Sequence, residues 1–198
     1  MTVTALAVSN IGAGPWDVER RVRLDLGEFV ATGDRNVVLT TTLGSSVSAC
    51  IRDPLARIGG MNHFLLPEAG SDAEALSHGV NAMERLINAL VRLGGRRERM
   101  QARLFGGADL LRGVDDLGPR TAIFAERYLR TEAIAFLGGD LGGDSTRLIQ
   151  FWPLKGRARQ LTVHASFPDE FDRRVFEQEQ RNRAHRPVWD RAGDVELF

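Results

Sequence analysis

The chain has 198 residues, of which 43% are hydrophobic, and its 26 Lys and Arg residues balance 26 Asp and Glu residues. This composition is typical of one globular domain, and a net charge of zero argues against a nucleic-acid partner. The single cysteine, Cys50, excludes an internal disulfide and suits a reducing compartment. Because no apolar run is long enough to span a bilayer and no signal peptide is apparent, we expect a cytoplasmic protein without membrane insertion.

Changes in composition divide the chain into three parts. Residues 1–22 contain Ser9–Pro15, a run that breaks regular structure, so we predict a loose N-terminal leader there. Residues 23–166 carry strand and helix patterns and are predicted to form the folded domain. From residue 167 to residue 198 the chain is charged and largely loses periodicity, which predicts a mostly disordered C-terminal tail.

In chain order, the first strand is predicted near Gly27–Ala31. Two short runs of small and β-branched residues, Val47–Arg52 and Ile58–Leu66, predict two further strands. The residues Asp53–Ala56 between them suit a type I turn, because Asp is favoured at its first position and Pro presets φ at the second. These segments therefore predict an antiparallel hairpin.

The clearest helix begins at Ser71, where Ser71 and Glu74 have the capping-box pattern and apolar residues then recur at helical spacing up to a C-cap at Gly94. Pro119 suits the first turn of a second helix that reaches about Arg130. Further strands are predicted at 101–105, 134–137, 147–152 and 159–164. The pattern predicts an α+β fold, a single domain of mixed or antiparallel β-sheet with two or three helices packed on it.

The predicted hairpin places a hydroxyl and an imidazole on one face. If Asp53–Ala56 is the loop, Arg52 faces Arg57, and counting outward brings Ser46 opposite His63. Residues directly opposite each other in an antiparallel pair have Cβ atoms about 4.5–5.5 Å apart and point to the same face. The pair is either a nucleophile with its base or an ordinary hydrogen-bonded strand pair. As a reacting pair, it is expected at the mouth of a groove open to another protein.

The same region resembles a known family. Thr40, Ser46 and His63 have the spacing of the threonine, nucleophile and histidine of the CheD chemoreceptor glutamine deamidases, in which cysteine stands at the position of Ser46. Similar segments cover roughly residues 27–163, which implies a CheD-like fold. They are Leu43-Gly44-Ser45, Arg52-Asp53-Pro54, Gly60-Met61-Asn62-His63, Leu104–Ala108, Leu117–Arg120 and Asp140–Arg147.

The resemblance implies hydrolysis of a glutamine side-chain amide on a methyl-accepting chemotaxis receptor, which leaves glutamate and ammonia. By position, Ser46 takes the place of the nucleophile, His63 that of the base, and Thr40 that of the residue that orients the histidine. The implied partners are the cytoplasmic helices of chemoreceptors and a CheC-type phosphatase, and no cofactor is implied. Since the histidines lack accompanying Cys or Asp at metal-ligand spacing, no metal is predicted.

Serine at the cysteine position leaves two functions open. A cysteine is readily converted to thiolate beside an imidazole, whereas a serine hydroxyl must lose its proton during the attack itself, so we expect weak or absent turnover. The alternative is a catalytically impaired binding protein that still engages chemoreceptors or a CheC-type phosphatase. Cys50 does not replace the missing thiol, because it lies roughly 13 Å from Ser46 along the same predicted strand.

Overall fold

The computed structural model describes residues 19–67, 71–110 and 116–163. Within these ranges, nine strands form two sheets, and two α-helices accompany them. The strands are β1 (Arg20–Arg23), β2 (Phe29–Thr32), β3 (Val37–Leu43), β4 (Val47–Asp53), β5 (Ile58–Asn62), β6 (Gln101–Gly106), β7 (Ala135–Leu141), β8 (Thr146–Trp152) and β9 (Arg157–Val163). The helices are α1 (Asp72–Arg92) and α2 (Leu117–Thr131), and a short 3-10 helix spans Arg97–Arg99.

The two sheets differ in size and share no strand. The four-stranded sheet has the order β1-β3-β8-β9, and the five-stranded sheet has the order β2-β5-β4-β6-β7. Most neighbouring strands are antiparallel, but β1 runs parallel to β3 and β6 runs parallel to β7. The predicted α+β class with mixed sheets and two helices is confirmed, and the strands are divided between two sheets instead of one.

The helices, the five-stranded sheet and the four-stranded sheet form three layers, and the two larger apolar cores lie between them. The larger core lies between the helices and the five-stranded sheet and includes Val47, Ile51 and Leu86. The second core lies between the two sheets and includes Leu39 and Cys50. Strand β4 contributes to both cores because successive side chains of a strand point to opposite faces. The sheet-to-sheet layer is the one that receives the candidate catalytic side chains.

Helix α1 begins as its local sequence predicts. The hydroxyl of Ser71 accepts a hydrogen bond from the N–H of Glu74, and the Glu74 carboxylate accepts one from the N–H of Ser71, which confirms the capping box. The helix ends at Arg92 with Leu93 as its C-cap. Gly94, predicted as the C-cap, lies one residue further and has φ 94°, the left-handed conformation typical of the residue that follows a C-cap.

The predicted leader boundary after residue 22 is wrong, because it falls inside β1. Arg20–Arg23 pair in parallel with Val37–Thr40, and the N–H of Leu24 donates to the carbonyl of Thr40. The segment is charged and mostly exposed, so main-chain pairing holds it without an apolar pattern that the sequence could reveal. Residues 1–18 of the predicted leader and the predicted tail, 167–198, lie outside the described residues.

Other predicted elements differ from the structure mainly at their ends. The strand predicted at 134–137 continues to Leu141, and the strand predicted at Ile58–Leu66 ends at Asn62. In the part of the chain that the structure describes, no helix combines the length and the apolar composition that crossing a membrane requires.

Candidate active site

Three polar side chains meet between the two sheets. Ser46 directly precedes β4, His63 directly follows β5, and Thr41 lies in β3 of the opposite sheet. The Nε2 atom of His63 lies 2.8 Å from Oγ of Ser46, and its Nδ1 atom lies 2.9 Å from Oγ1 of Thr41. Both distances are those of hydrogen bonds. The imidazole therefore connects a hydroxyl of one sheet to a hydroxyl of the other.

The predicted contact between Ser46 and His63 is present, but the predicted hairpin register is wrong. Arg52 pairs with Gly59, two positions beyond Arg57, and Asp53 pairs with Ile58. A shift of two residues leaves every side chain on its predicted face, which is why the two side chains still meet. They meet diagonally, beyond the end of the regular ladder.

The carboxylate of Asp53 gives the reason for this register. Its Oδ1 atom accepts hydrogen bonds from the N–H groups of Leu55 and Ala56, and its Oδ2 atom accepts from the N–H of Arg96 and the guanidinium of Arg99. Burial raises the pKa of this carboxyl, but these donors outweigh burial and lower the pKa to about 2. Asp53 thus ends the strand with its carboxylate ionised, and the turn begins one residue later than predicted.

The prediction that Thr40 orients the histidine is wrong, because Thr41 makes that contact. Odd-numbered residues of β3, such as Leu39 and Leu43, point into the core between the sheets, and Thr41 shares their face. Thr40 points the other way, and its hydroxyl lies 3.5 Å from the carbonyl oxygen of Val22. The number of residues between Thr40 and Ser46 did not reveal which threonine faces His63. Ser46 follows β3 in the connection to β4, which belongs to the other sheet, so the alternation of side chains along β3 does not extend to it.

The hydrogen bonds of Thr41 assign the tautomer of His63. The Thr41 hydroxyl donates its one proton to the carbonyl oxygen of Leu24 at 2.9 Å. It therefore accepts at its contact with the ring, so Nδ1 of His63 carries a proton and donates. In the neutral ring this leaves Nε2 as an acceptor, aimed at the hydroxyl of Ser46. That is the tautomer a general base requires beside a hydroxyl nucleophile.

Both reacting side chains are buried. Ser46 has no exposed surface and His63 is 6% exposed, so the expected position at the mouth of an open groove is wrong for this conformation. Burial lowers the pKa of His63 from 6.5 to about 4, because the charged ring loses hydration. The imidazole is therefore neutral near pH 7. Because Ser46 has no exposed surface, a substrate reaches its hydroxyl only when the groups that cover it move.

Three loops converge beside Ser46. The N–H of Gly107 donates to the carbonyl of Ser46, and the N–H of Ala108 donates to that of Gly44. The N–H of Gly142 in turn donates to the carbonyl of Gly106. These loops carry three of the sequence segments that resemble the CheD family, so segments far apart in the chain surround one position.

The buried guanidinium of Arg147 holds the third loop. It donates to the Asp140 carboxylate and to the carbonyl oxygens of Gly142 and Ser145. The hydrogen bond from Arg147 is the main cause that lowers the pKa of Asp140. Because Asp140 lies in the five-stranded sheet and Arg147 in the four-stranded sheet, this pair also ties the two sheets together.

Cys50 lies away from this group of side chains. It is buried in the core between the sheets, and burial raises the pKa of its thiol well above the ordinary range. A thiol with so little tendency to ionise is a poor nucleophile. Within the described residues, His, Cys, Asp and Glu do not gather in threes at a spacing that could hold a metal ion.

Comparison with known proteins agrees with this arrangement of segments. A model of the family described as CheD chemotactic sensory transduction matches residues 65–162. A probable chemoreceptor glutamine deamidase CheD from Caulobacter vibrioides strain NA1000 is 51% identical over 152 residues, which are 74% of this chain and 81% of the relative. The chain belongs to the CheD family. Proteins of the same name from Acidiphilium cryptum and Agrobacterium fabrum are 48% and 43% identical, over 80% and 90% of this chain and 86% and 97% of theirs.

Membership in the CheD family does not by itself assign the roles of the buried side chains. The family model begins after His63, so neither Ser46 nor His63 lies within the matched span. Of the residues in contact at the site, the sequence reasoning missed Thr41. The signal that could have found it is the alternation of large apolar residues along β3, which identifies the inward-facing positions.

Proposed function

We propose that this chain is a protein-glutamine deamidase that acts on chemoreceptors, with Ser46 as nucleophile, His63 as general base and Thr41 as the residue that orients the ring. The observation that carries the proposal is the 2.8 Å contact between Ser46 Oγ and His63 Nε2, with the opposite ring nitrogen engaged by Thr41. The CheD relatives are named as probable chemoreceptor glutamine deamidases, which supports the choice of substrate.

The proposed reaction has two stages. Oγ of Ser46 attacks the glutamine carboxamide carbon while Nε2 of His63 takes its proton, and the resulting imidazolium returns that proton to the departing ammonia. This leaves a glutamyl ester on Ser46. A water molecule then attacks the ester carbon, giving a proton to His63, and the ring passes it to Oγ as the ester bond breaks. The products are glutamate on the receptor, ammonia and regenerated serine.

Two features of the site slow this reaction. The serine hydroxyl must be deprotonated during attack, so the reaction relies on the basicity of His63. Burial holds the pKa of His63 near 4, and its orienting partner is a neutral hydroxyl instead of a carboxylate that would stabilise the imidazolium. We therefore expect slow turnover with serine and faster turnover with a thiol at the same position.

The second candidate function is a binding protein without turnover. The complete burial of Ser46 favours it, because a receptor could occupy the outer surface without reaching the hydroxyl. The chain would then engage chemoreceptor cytoplasmic helices or a CheC-type phosphatase through surface contacts alone. Both candidates share the fold and differ only in whether an amide bond is broken.

The discriminating experiment replaces Ser46 by cysteine. Ammonia release from a purified chemoreceptor cytoplasmic fragment is measured for the present chain, for Ser46→Cys and for Ser45→Cys, a control that adds a thiol one residue away. Mass spectrometry of the receptor locates the altered glutamine. We expect slow release by the present chain, faster release by Ser46→Cys, and no gain from Ser45→Cys.

Each other result has a definite meaning. Equal release by the present chain and Ser46→Cys would show that serine does not impair the reaction. Release that survives His63→Ala in the Ser46→Cys protein would remove the proposed base. If neither protein releases ammonia but both bind the receptor fragment, the binding function is correct and the deamidase proposal is wrong.

A further inference from the structure

The ladder between β4 and β5 has a gap immediately before His63. Regular pairing runs from Asp53 opposite Ile58 to Cys50 opposite Met61, and a single bridge then joins Val47 and Phe64. Between these pairs, a regular antiparallel ladder would have the N–H of Ala49 donate to the main-chain carbonyl of Asn62. Ala49 and Asn62 are not among the residue pairs of this ladder, so that main-chain hydrogen bond is missing.

The side chain of Asn62 supplies the missing acceptor. The N–H of Ala49 donates to Oδ1 of Asn62 at 2.8 Å, while the main-chain carbonyl of Asn62 accepts the hydroxyl of Ser48 at 2.6 Å. The amide therefore takes the place of a backbone carbonyl. This leaves the Asn62 carbonyl turned toward the Ser48 side chain and out of the ladder.

The other end of the same amide reaches helix α1. Nδ2 of Asn62 donates to the carbonyl of Ala82 at 3.0 Å and lies 3.6 Å from the sulfur of Met83. The residue is 1% exposed, so its amide is held by protein groups on both sides. Asn62 consequently fixes the distance between the helix and the point where β4 and β5 separate.

His63 changes its main-chain partners at this point. Its N–H donates to the carbonyl of Glu28 at 2.9 Å, and its carbonyl accepts from the N–H of Gly27 at 2.8 Å. The next residue, Phe64, returns to pair with Val47. The backbone on one side of His63 is thus set by Asn62, and the backbone at His63 itself by the segment before β2.

We propose that Asn62 is a positioning residue for His63. Its side-chain amide replaces one main-chain hydrogen bond of the β4–β5 ladder, and the resulting orientation of the peptide bond between Asn62 and His63 directs the Nε2 atom of His63 toward Ser46. Asn62 touches neither the reacting hydroxyl nor the reacting ring nitrogen in the contacts described. It acts by fixing the direction of the ring that makes those contacts. The catalytic part of this inference rests on the proposed function, but the effect on the ring does not.

The test measures the histidine ring directly. In ¹⁵N-labelled protein, NMR gives the tautomer and the pKa of His63 for the present chain, for Asn62→Leu and for Ser48→Ala. Asn62→Leu removes the hydrogen bonds of the amide to Ala49, Ala82 and Met83, and Ser48→Ala removes only the bond from the Ser48 hydroxyl to the Asn62 carbonyl. We expect Asn62→Leu to mix the two neutral tautomers of His63, because the ring is no longer held with Nε2 toward Ser46 and Nδ1 toward Thr41. Ser48→Ala should give a smaller change in the same direction.

Thr32→Val is the matched control. Thr32 is buried, and its hydroxyl accepts a hydrogen bond from the N–H of Asp34, so its loss also removes a partly buried hydrogen bond. We expect it to leave the tautomer and pKa of His63 unchanged. If Asn62→Leu does not fold, Ser48→Ala carries the test alone. An unchanged ring in the folded variants would overturn the proposal.

A kinetic measurement connects the ring to the reaction. In the Ser46→Cys protein, Asn62→Leu is expected to lower kcat for ammonia release at least tenfold with little change in KM, since it misdirects the base and Asn62, at 1% exposure, offers almost no surface to a bound receptor. An unchanged kcat would contradict a positioning role in catalysis. If Ser46→Cys itself releases no ammonia, the deamidase proposal fails, and the NMR result still decides what Asn62 does to His63.

Discussion

The Thr41 hydroxyl accepts a hydrogen bond from Nδ1–H of His63, because it donates its own proton to the carbonyl of Leu24. One hydroxyl therefore sets which ring nitrogen remains free for Ser46. Many hydroxyl partners could rotate to accept or to donate, but this one has a second, fixed acceptor. The arrangement gives the imidazole a defined direction through a neutral hydroxyl partner.

The first prediction concerns this hydroxyl. Thr41→Val keeps the shape of the side chain but removes the hydroxyl acceptor that Thr41 offers to the Nδ1–H of His63, at a cost of about 1–3 kcal/mol. In the Ser46→Cys protein we expect kcat for ammonia release to fall roughly tenfold to a hundredfold, which corresponds to a loss of about 1.4–2.7 kcal/mol of transition-state stabilisation.

Thr40→Val is the control for Thr41→Val. It removes a neighbouring hydroxyl whose contact is with Val22 on the other face of β3. We expect its rate of ammonia release to remain within about twofold of the parent, a difference of less than 1 kcal/mol. A loss of rate in Thr40→Val that equals the loss in Thr41→Val would contradict the orientation that the structure gives to these side chains.

The contrast between these two threonines shows what the sequence could and could not reveal. The Ser71–Glu74 capping box depends on residues close in the chain, and it was predicted correctly. The contact between Ser46 and His63 was also predicted, although from a wrong register. A register shift of two residues leaves each side chain on the same face of its strand, so the contact is kept. Thr41 comes from the other sheet: the alternation along β3 could mark it as inward-facing, but no local pattern states that this face packs against His63.

Strand β1 shows a second limit of sequence reasoning. Its residues, Arg20–Arg23, are mostly exposed and charged, so neither hydrophobic alternation nor a turn signal distinguishes them from a loop. Main-chain hydrogen bonds to β3 hold the segment. Such pairing requires a neighbouring strand with unpaired main-chain groups, here β3. Whether β3 has them depends on the assembled sheet and cannot be seen in the sequence of β1.

The second prediction concerns pH. Since burial lowers the pKa of His63 to about 4, the folded protein binds fewer protons than the unfolded chain between pH 4 and 6.5. The free energy of unfolding therefore decreases as the pH falls from 6.5 to 4, because the unfolded chain takes up a proton on His63 that the folded protein does not. Above pH 6.5 this contribution is constant. Its size is about 3 kcal/mol for a shift of this magnitude. Urea unfolding at a series of pH values measures it.

His63→Gln is the control for the pH measurement, because it keeps a polar side chain that does not titrate. The difference in free energy of unfolding between the present chain and His63→Gln should change with pH mainly between 4 and 6.5. A difference that is flat across this window would show that the imidazole is not held neutral by burial. The same pKa predicts that His63 of the present chain stays neutral, as a general base must be, when the pH falls from 7 to 5.

The third prediction concerns the close packing of Gly106 against Ser46. A Cβ added to Gly106 would lie 2.1 Å from the carbonyl oxygen of Ser46, and the residue has φ 104°, so Gly106→Ala meets both a collision and backbone strain. Gly142 is the matched control, because it has φ 78° but an added Cβ meets no atom within 4 Å. Gly142→Ala should cost only the conformational strain, about 1–2 kcal/mol. Gly106→Ala should cost about 1–3 kcal/mol more, since the loop must move to relieve the collision.

The displaced loop should also affect the reaction. The carbonyl that Gly106→Ala would strike belongs to Ser46 itself, so relief of the collision shifts the nucleophile relative to His63. In the Ser46→Cys protein we expect Gly106→Ala to lower ammonia release far more than Gly142→Ala at a temperature where both are folded, as checked by circular dichroism. Equal rates in the two variants would mean that the position of residue 46 does not depend on this contact. Because the collision is with the backbone and not with a flexible side chain, rotamer changes cannot absorb it, and the loss should persist whichever nucleophile occupies position 46.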